Sequence, residues 1–573
     1  MPDESDIAAD LPATATHGPG DDRGRRPLEP PDDDQVMWYL GPQSRWVQLC
    51  MTAGFALAAF SVVRFSATSP WFWPLLVVLV VNTVSAVMSM LSGLNRRRIT
   101  ARSHLEKIIG WVPADGRWPS VDVFLPTCGE SEKVLANTYR HIAALDWPGR
   151  LRVWVMDDSG RAEVAAMARE RGFEYLSRPD RGRMKKAGNL AYAYNRTDGD
   201  VIAVFDADFC PRPDYLRHLV PYLDDPRVGI VQSPQFFDTD EHMSWLERTA
   251  GATQELFYRW VQPSRDRAGA PICVGTCALY RRAALAAAGG FAQIEHSEDV
   301  HTGVSLMEKG YGTQYVPVVV AKGLCPDTLS GFLNQQYRWC SGSMSLLASG
   351  RTFRRTLSAR QRICFWSGFL YYICTAMNVF AAHVPALLMA VFFADQVRPA
   401  HYVPFLVSMW VSFVLLPRMT KGLWRFEVLR IQMAYSFCHA VSIVHRVLGR
   451  TAGWVATGSV RRGTSLARTI SVVGSVVLAA NLAIAWVAVT RDVQHYGLRN
   501  FWMMVLFLVA YTYLALPLLF AFVRVLLPES VLFDLPSRVA RREASMAAAV
   551  QSTPLGQRVN PHDRLIQTVA AEA

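Results

Sequence analysis

The sequence predicts a parallel α/β domain set between two groups of membrane-spanning helices. Three observations carry this. Charged residues make up only 19% of the 573 residues and hydrophobic ones 51%, against about 25% charged in soluble proteins. Two long uncharged apolar runs precede a central segment and four follow it. Inside that segment, short β-branched runs alternate with helical stretches, the pattern of a parallel sheet. So little charge excludes a disordered or nucleic-acid-wrapping chain, and no nucleic-acid partner is expected. The balance is nonetheless basic: 59 Lys and Arg against 48 Asp and Glu give +11. Residues 1–35 hold ten acidic and three basic side chains, so the remainder carries +18. Ten dispersed cysteines without a CxxC pair suggest neither a disulfide framework nor a zinc site, but packing or reduced thiols.

Residues 1–36 are acidic, rich in Pro, Gly, Asp and Ala, and lack an apolar period, so a disordered tail without a signal peptide is expected. Spans one and two lie in 37–98, on the runs 46–63 and 71–94. About 20 apolar residues cross roughly 30 Å of hydrocarbon, and both runs fit. The α/β domain occupies 118–345, with strands expected at 121–126, 151–156, 173–176, 201–205 and 228–231.

Apolar runs resume within 346–525, at 363–394, 402–417, 470–489 and 501–523. The first is too long for one crossing and reads as an interfacial helix, 363–376, leading into a span that contains Pro385. Six spans result. Residues 421–448 mix charges with aromatics and suit a helix lying in the interface. Basic residues flank one side of the spans: Arg96 to Arg98, Arg102 and Lys107; Arg354, Arg355, Arg360 and Arg362; Arg418, Lys421, Arg461, Arg462 and Arg468. The positive-inside rule then makes the central domain, both termini and the tail 526–573 cytosolic, in a multi-pass protein of the plasma (inner) membrane.

The chemistry-bearing residues are carboxylates near strand ends. Asp157-Asp158 closes the second strand, Asp206-Ala207-Asp208 the fourth, and Glu298-Asp299 follows later. Ligands of open α/β sheets bind outside the carboxyl ends of strands, and two carboxylates at one point are hard oxygen donors for Mg²⁺ or Mn²⁺ beside a diphosphate. Alone, a D-x-D is more often a turn or a solvated edge.

The ordered set is more specific. Pro126-Thr127-Cys128-Gly129-Glu130, Asp157-Asp158, Lys186-Ala187-Gly188-Asn189-Leu190, Asp206-Ala207-Asp208, Gln232-Ser233-Pro234, Ser297-Glu298-Asp299 and Gln335-Gln336-Tyr337-Arg338-Trp339 resemble the processive membrane β-glycosyltransferases of glycosyltransferase family 2. The likeness is to bacterial cellulose synthase catalytic subunits and cellulose synthase-like proteins. It implies a GT-A (Rossmann-like) domain that uses a UDP-sugar and a divalent cation. By that resemblance Thr127, Glu130 and Asp158 would hold the uridine, with Asp157 supporting the strand end. Lys186 would approach the donor, Asp206 its sugar or ribose side, and Asp208, together with Asp206, the metal. Asp299 would be the general base, Gln335 and Arg338 would steady the departing diphosphate, and Trp339 would stack beneath the acceptor. Thr457, in the stretch 453–463, matches a gating loop that covers bound UDP, although the loop's basic residue is displaced to Arg461 and Arg462.

Two departures bear on the product. Ile272-Cys273-Val274-Gly275-Thr276 replaces the usual FFCGS, so Val274 stands where Cys touches the terminal acceptor sugar. The 50 residues after Val523 are expected to hold no PilZ domain. The resemblance implies an inverting synthase that extends a β-linked polysaccharide and passes it through its own channel, with accessory proteins outside. UDP-glucose giving a cellulose-like β-1,4-glucan is the first expectation; UDP-GlcNAc or another glucan linkage is the alternative. Transfer of one sugar to a lipid carrier is a second enzyme reading, against which the QxxRW sequence speaks; a catalytically dead transporter is a reading from another class, against which the intact acidic motifs speak.

Overall fold

The computed structural model describes residues 27–527 except 41–44, 68, 96, 238, 240–242, 355, 416, 419–425 and 451–463. Its strands are β1 (Val121–Thr127), β2 (Leu151–Asp157), β3 (Glu174–Leu176), β4 (Val201–Val204), β5 (Phe209–Pro211), β6 (Val228–Gln232), β7 (Phe236–Phe237), β8 (Ala278–Arg281), β9 (Gly312–Tyr315) and β10 (Ala321–Gly323). Seven of them form one sheet in the order β3-β2-β1-β4-β8-β6-β9.

β1 is a nearly continuous buried run, as befits a strand covered on both faces. It pairs in parallel with β2 on one side and β4 on the other. Chain order reverses there, and such a switch point opens a crevice at the carboxyl ends of the strands. Thr127 and Asp157 close β1 and β2, and Asp206 follows β4 by one residue past Phe205. All five expected strands are present. The sequence did not foretell that β8 inserts antiparallel between β4 and β6, nor the small sheet β5-β10-β7 beside the first.

Among the described residues, five helical segments are long and apolar enough to cross a membrane: Leu49–Ser66, Pro70–Gly93, Ala359–Phe392, Ser465–Tyr496 and Leu498–Leu526. The sixth expected span is a shorter apolar helix, Pro399–Leu415. On helix Trp73–Gly93, Val77, Val80, Val84, Val87 and Leu91 form an exposed apolar stripe, a face suited to lipid. Its other side meets helix Ala359–Ala381, where the Asn82 and Asn378 amides donate to each other at 2.9 and 2.7 Å. Reciprocal amides of this kind fix helix register in an apolar setting.

That contact corrects the reading of 363–376 as a separate interfacial helix. The segment is instead part of one helix, Ala359–Ala381, packed along the second apolar helix. The break comes at residues 382–383, before helix Val384–Phe392, because Pro385 in its first turn lacks an N–H and its ring crowds the carbonyl four residues back. Helix Val428–Val447, within the expected interfacial stretch, is buried through Ile431, Ala434, Phe437 and Cys438 and packs on helices Leu329–Ala348 and Ala359–Ala381.

The tail expected through residue 36 also differs. From Leu28 the chain straps across the α/β domain: Asn137 Nδ2 donates to the Leu28 carbonyl at 2.8 Å, and Arg212 donates to the Pro31 carbonyl and to Asp33 at 2.8 and 2.9 Å. The Val319 N–H bonds to the Val36 carbonyl. Val36 is 1% exposed in the sheet's core and Tyr39 is buried against Phe236. Acidic composition masked these two apolar anchors.

Candidate active site

The predicted residues from β1, β2, β4 and two later helices converge at the carboxyl edge of the sheet. Thr127 is buried and its hydroxyl donates to the Leu125 carbonyl. Glu130 is buried one turn beyond and accepts from the Cys128 N–H at 2.6 Å; burial pushes its carboxyl up to about 7. Asp157 ties the turn after β2 together, accepting from the N–H groups of Ser159 and Arg161, each at 2.8 Å, and from the Tyr175 hydroxyl. Asp158 is gripped at both oxygens by Arg178, a residue the motif reading missed.

Lys186, on helix Lys185–Tyr194, donates to Asp206 at 2.5 Å and to the Gly275 carbonyl at 2.9 Å. Burial alone would lower its pKa, but Asp206, Glu298 and Asp299 outweigh that and hold the ammonium charged. The Asp206 N–H donates to Thr276 Oγ1 at 2.8 Å, so the loop 272–276 braces the D-x-D turn. Gln232 and Gln235 in turn hold that loop through Ile272 and Val274.

Burial, with Asp206 and Glu130 close by, pushes Asp208 up to about 7. Among the described residues no group of three or more His, Cys, Asp or Glu side chains has the arrangement of a metal cage. Asp208, crowded by the like charges of Asp206 and Glu130, nevertheless fits a Mg²⁺-type site together with Asp206, which Lys186 already pairs, since such ions keep several positions for phosphate and water.

Asp299 opens helix Glu298–Glu308 after Ser297, whose backbone is left-handed at φ 57°. The Val300 N–H donates to its Oδ1 at 2.8 Å. Burial first, and the neighbouring Glu298 second, raise its pKa above the ordinary carboxylate value. Gly275 has φ +74°, and a Cβ there would lie 2.8 Å from Asp299 Oδ2. Gly275→Ala is therefore expected to displace the carboxylate. With Asp299 as the base proposed below, a misplacement of about 1 Å costs roughly 10²-fold in rate, so kcat should fall by that order in a protein that still folds, as checked by turnover beside a thermal melt.

Helix Leu329–Ala348 carries Gln335, Arg338 and Trp339; Arg338 lies among Asp206, Glu298, Asp208 and Asp299, and Trp339 shares a cavity with Asp299. Gln335 is buried; burial lowers the Arg338 pKa, while Asp206, Glu298, Asp208 and Asp299 oppose the shift. Ser297 Oγ donates to the Arg338 carbonyl, and Gly342 leaves room for that serine. His296 is buried, and burial and Arg338 lower its pKa, which leaves a neutral ring. Thr457 and the rest of 453–463 lie outside the described residues.

A cavity of about 1120 Å³ adjoins the site. Asp299, Val274, Tyr258 and Trp339 border it from the α/β domain, Ser89, Phe369 and Met409 from the apolar helices, and Tyr435 from helix Val428–Val447.

Residues 119–342 match the sequence profile "Glycosyltransferase like family 2". The chain is 33% identical over 294 residues to "Cellulose synthase 1" of Komagataeibacter xylinus, covering 50% of this chain and 19% of that protein. It is 37% identical over 261 residues to "Cellulose synthase catalytic subunit [UDP-forming]" of Pseudomonas fluorescens (strain SBW25), covering 44% of this chain and 35% of that one. It therefore spans well under half the length of these relatives. Among solved structures, a mannosyltransferase from Pyrobaculum calidifontis in complex with GDP-Man and Mn²⁺ aligns over 69% of this chain and 99% of its own, at 18% identity and a TM-score of 0.45. In sequence, residues 119–342 thus match the glycosyltransferase family 2 profile, and the chain is similar to part of the cellulose synthases.

Proposed function

We propose that the chain is a processive, inverting synthase that transfers sugar from a UDP-sugar to a growing β-glycan and leads the polymer across the membrane. Glucose from UDP-glucose, giving a cellulose-like β-1,4-glucan, is the first assignment. The observation that carries this reading is the shared cavity: Asp299 and Trp339 border the same space as Ser89, Phe369 and Met409 of the apolar helices. A transferase that releases a soluble product has no need of such continuity.

In this reading Thr127, Glu130 and Asp158 bind the uridine side, with Asp157 fixing the turn behind them. Asp299 accepts the proton of the acceptor hydroxyl as that oxygen attacks the anomeric carbon from the face opposite UDP. Direct attack inverts an α-linked donor to a β-linked product, with no covalent enzyme intermediate. Lys186, Gln335 and Arg338 surround the departing diphosphate, and a fixed guanidinium in a buried site stabilises developing charge strongly. Asp208 and Asp206 would hold a Mg²⁺ or Mn²⁺ ion, which would supply further neutralisation of the diphosphate. Trp339 stacks on the acceptor sugar, and by the sequence resemblance Thr457 is assigned to bound UDP. The domain and both termini face the cytosol of the plasma (inner) membrane, where a basic surface suits both an anionic donor and an anionic leaflet.

Membrane vesicles carrying the protein, supplied with Mg²⁺ or Mn²⁺ and a panel of radiolabelled UDP-sugars, test the reading. An insoluble, glucanase-sensitive product from UDP-glucose is expected. Product from UDP-GlcNAc alone would reassign the sugar, and a lipid-extractable monosaccharide would overturn processive synthesis. Trp339→Ala should lengthen the time per addition while UDP affinity stays within about twofold. An aromatic contact contributes about 0.5–1.5 kcal/mol beyond its area, so elongation should slow by up to about tenfold. An equal loss in UDP affinity, measured by calorimetry, would refute the stacking role.

A further inference from the structure

Arg178 lies between β3 and helix Lys185–Tyr194 and is 2% exposed. Its Nε and Nη2 donate to the two oxygens of Asp158 at 2.5 and 2.6 Å. Its Nη1 donates to the Arg183 carbonyl at 2.6 Å, and Nη2 also reaches the Lys185 carbonyl at 3.1 Å. Between and beside those carbonyls, Met184 and Lys185 are left-handed at φ 53° and 49°. Consecutive non-glycine residues rarely adopt that conformation, and they keep it only when surrounding bonds over-determine it. The next residue is Lys186, aimed at Asp206 and the Gly275 carbonyl. Gly188 completes the seat, because a Cβ there would collide with Arg178 Nη1 and the Arg183 carbonyl.

One guanidinium thus joins the carboxylate at the end of β2 to the strained backbone that points Lys186. A buried ion pair is by itself weak evidence for stability, and its best-attested use is to fix geometry. Arg supplies a rigid, planar fork that Lys cannot reproduce.

We propose that Arg178 is a positioning residue that couples the nucleotide-binding half of the site, through Asp158, to the donor-facing Lys186. This rests on the roles given to Asp158 and Lys186 under the proposed function. Arg178 does not touch the reacting atoms. It sets where Asp158 presents its carboxylate and where Lys186 leaves the backbone, so its loss acts on UDP affinity and on turnover together.

The test uses the full chain in membrane vesicles or detergent. UDP affinity is measured by calorimetry, and KM and kcat with the best donor of the panel, for Arg178→Lys, Arg178→Gln, Lys186→Gln and the double variant Arg178→Lys with Lys186→Gln. Coupled neighbours in one bonded network depart from additivity by several-fold to about a hundredfold. Arg178→Lys is expected to fold, to weaken UDP binding and to lower kcat, each by about tenfold. The double variant is expected to be no slower than Lys186→Gln alone, although no bond links the two side chains.

Additive rate losses in the double variant, or a folded Arg178→Lys within about twofold of the parent in both constants, would overturn the proposal. Failure of both Arg178 variants to fold would assign the residue to stability and overturn it as well. If the parent protein binds no UDP, the functional reading fails on its own account. The link is then judged by hydrogen exchange over residues 183–190: faster exchange in Arg178→Lys supports it, and unchanged exchange rejects it.

Discussion

Asp299→Asn is expected to lower turnover by about 10²–10⁴-fold, the usual contribution of a general base, while UDP affinity changes little. The amide is isosteric and its oxygen can still accept from the Val300 N–H, so the left-handed Ser297 turn and the Gly275 contact are retained. What is lost is proton acceptance at Oδ. The pH dependence separates this from a steric effect. Burial and Glu298 raise the Asp299 pKa above 3.8, so the protonated, inactive form persists to higher pH than for an exposed aspartate. The rate should rise with pH along an acid limb displaced toward neutrality, and that limb should vanish in the residual activity of Asp299→Asn. A rate profile unchanged in shape would refute the assignment of Asp299 as the base.

Asp208→Asn is expected to abolish divalent-cation-dependent turnover and, in the same protein, to raise the melting temperature in chelator at alkaline pH. Both effects come from one cause. Asp208 sits half-buried, and desolvation together with Asp206 and Glu130 pushes its pKa from 3.8 up to about 7. A carboxyl raised in the fold favours folding when protonated, below about pH 4, no less than the amide does. As pH climbs from about 4 through 7, ionisation in the folded state is penalised relative to the unfolded chain, and stability drains away. The amide carries no such penalty, so the difference in melting temperature should open across that window and close below it. Loss of function with gain in stability is the signature of a site held in a costly arrangement. Equal melting temperatures at pH 8, or full turnover in Asp208→Asn, would overturn it.

How much of this the sequence carries depends on the range of each interaction. The five expected strands are local apolar runs, and all five form. β8 escapes the same reading because Ala278–Arg281 is four residues long and its place between β4 and β6 is set by pairing with segments far along the chain. The break at residues 382–383 follows from Pro385 alone; what misled was the length of the apolar run, which suggested two helices with different relations to the membrane. In the site, carboxylates at strand ends are legible because their chemistry is rare in such places. Arg178 is not, because an arginine in a polar loop looks like a solvated side chain until Asp158, 20 residues earlier, is seen to receive it. Val36 and Tyr39 were hidden by the acidic residues around them.

The strap from Leu28 to Leu40 also decides what can be separated from what. The profile match begins at residue 119, yet Val36 fills a place in the core of that sheet and its carbonyl is taken by Val319. A catalytic fragment cut at residue 100 or later would open a hole where Val36 sits, expose the aromatic surface that Tyr39 covers, and leave Arg212 without Asp33. Fully burying one valine is worth roughly 1.5–3 kcal/mol, a large share of the 5–15 kcal/mol that keeps a domain folded. The α/β domain is therefore not a self-sufficient folding unit that happens to be tethered by helices; part of its interior is supplied by chain that precedes the first apolar segments in sequence.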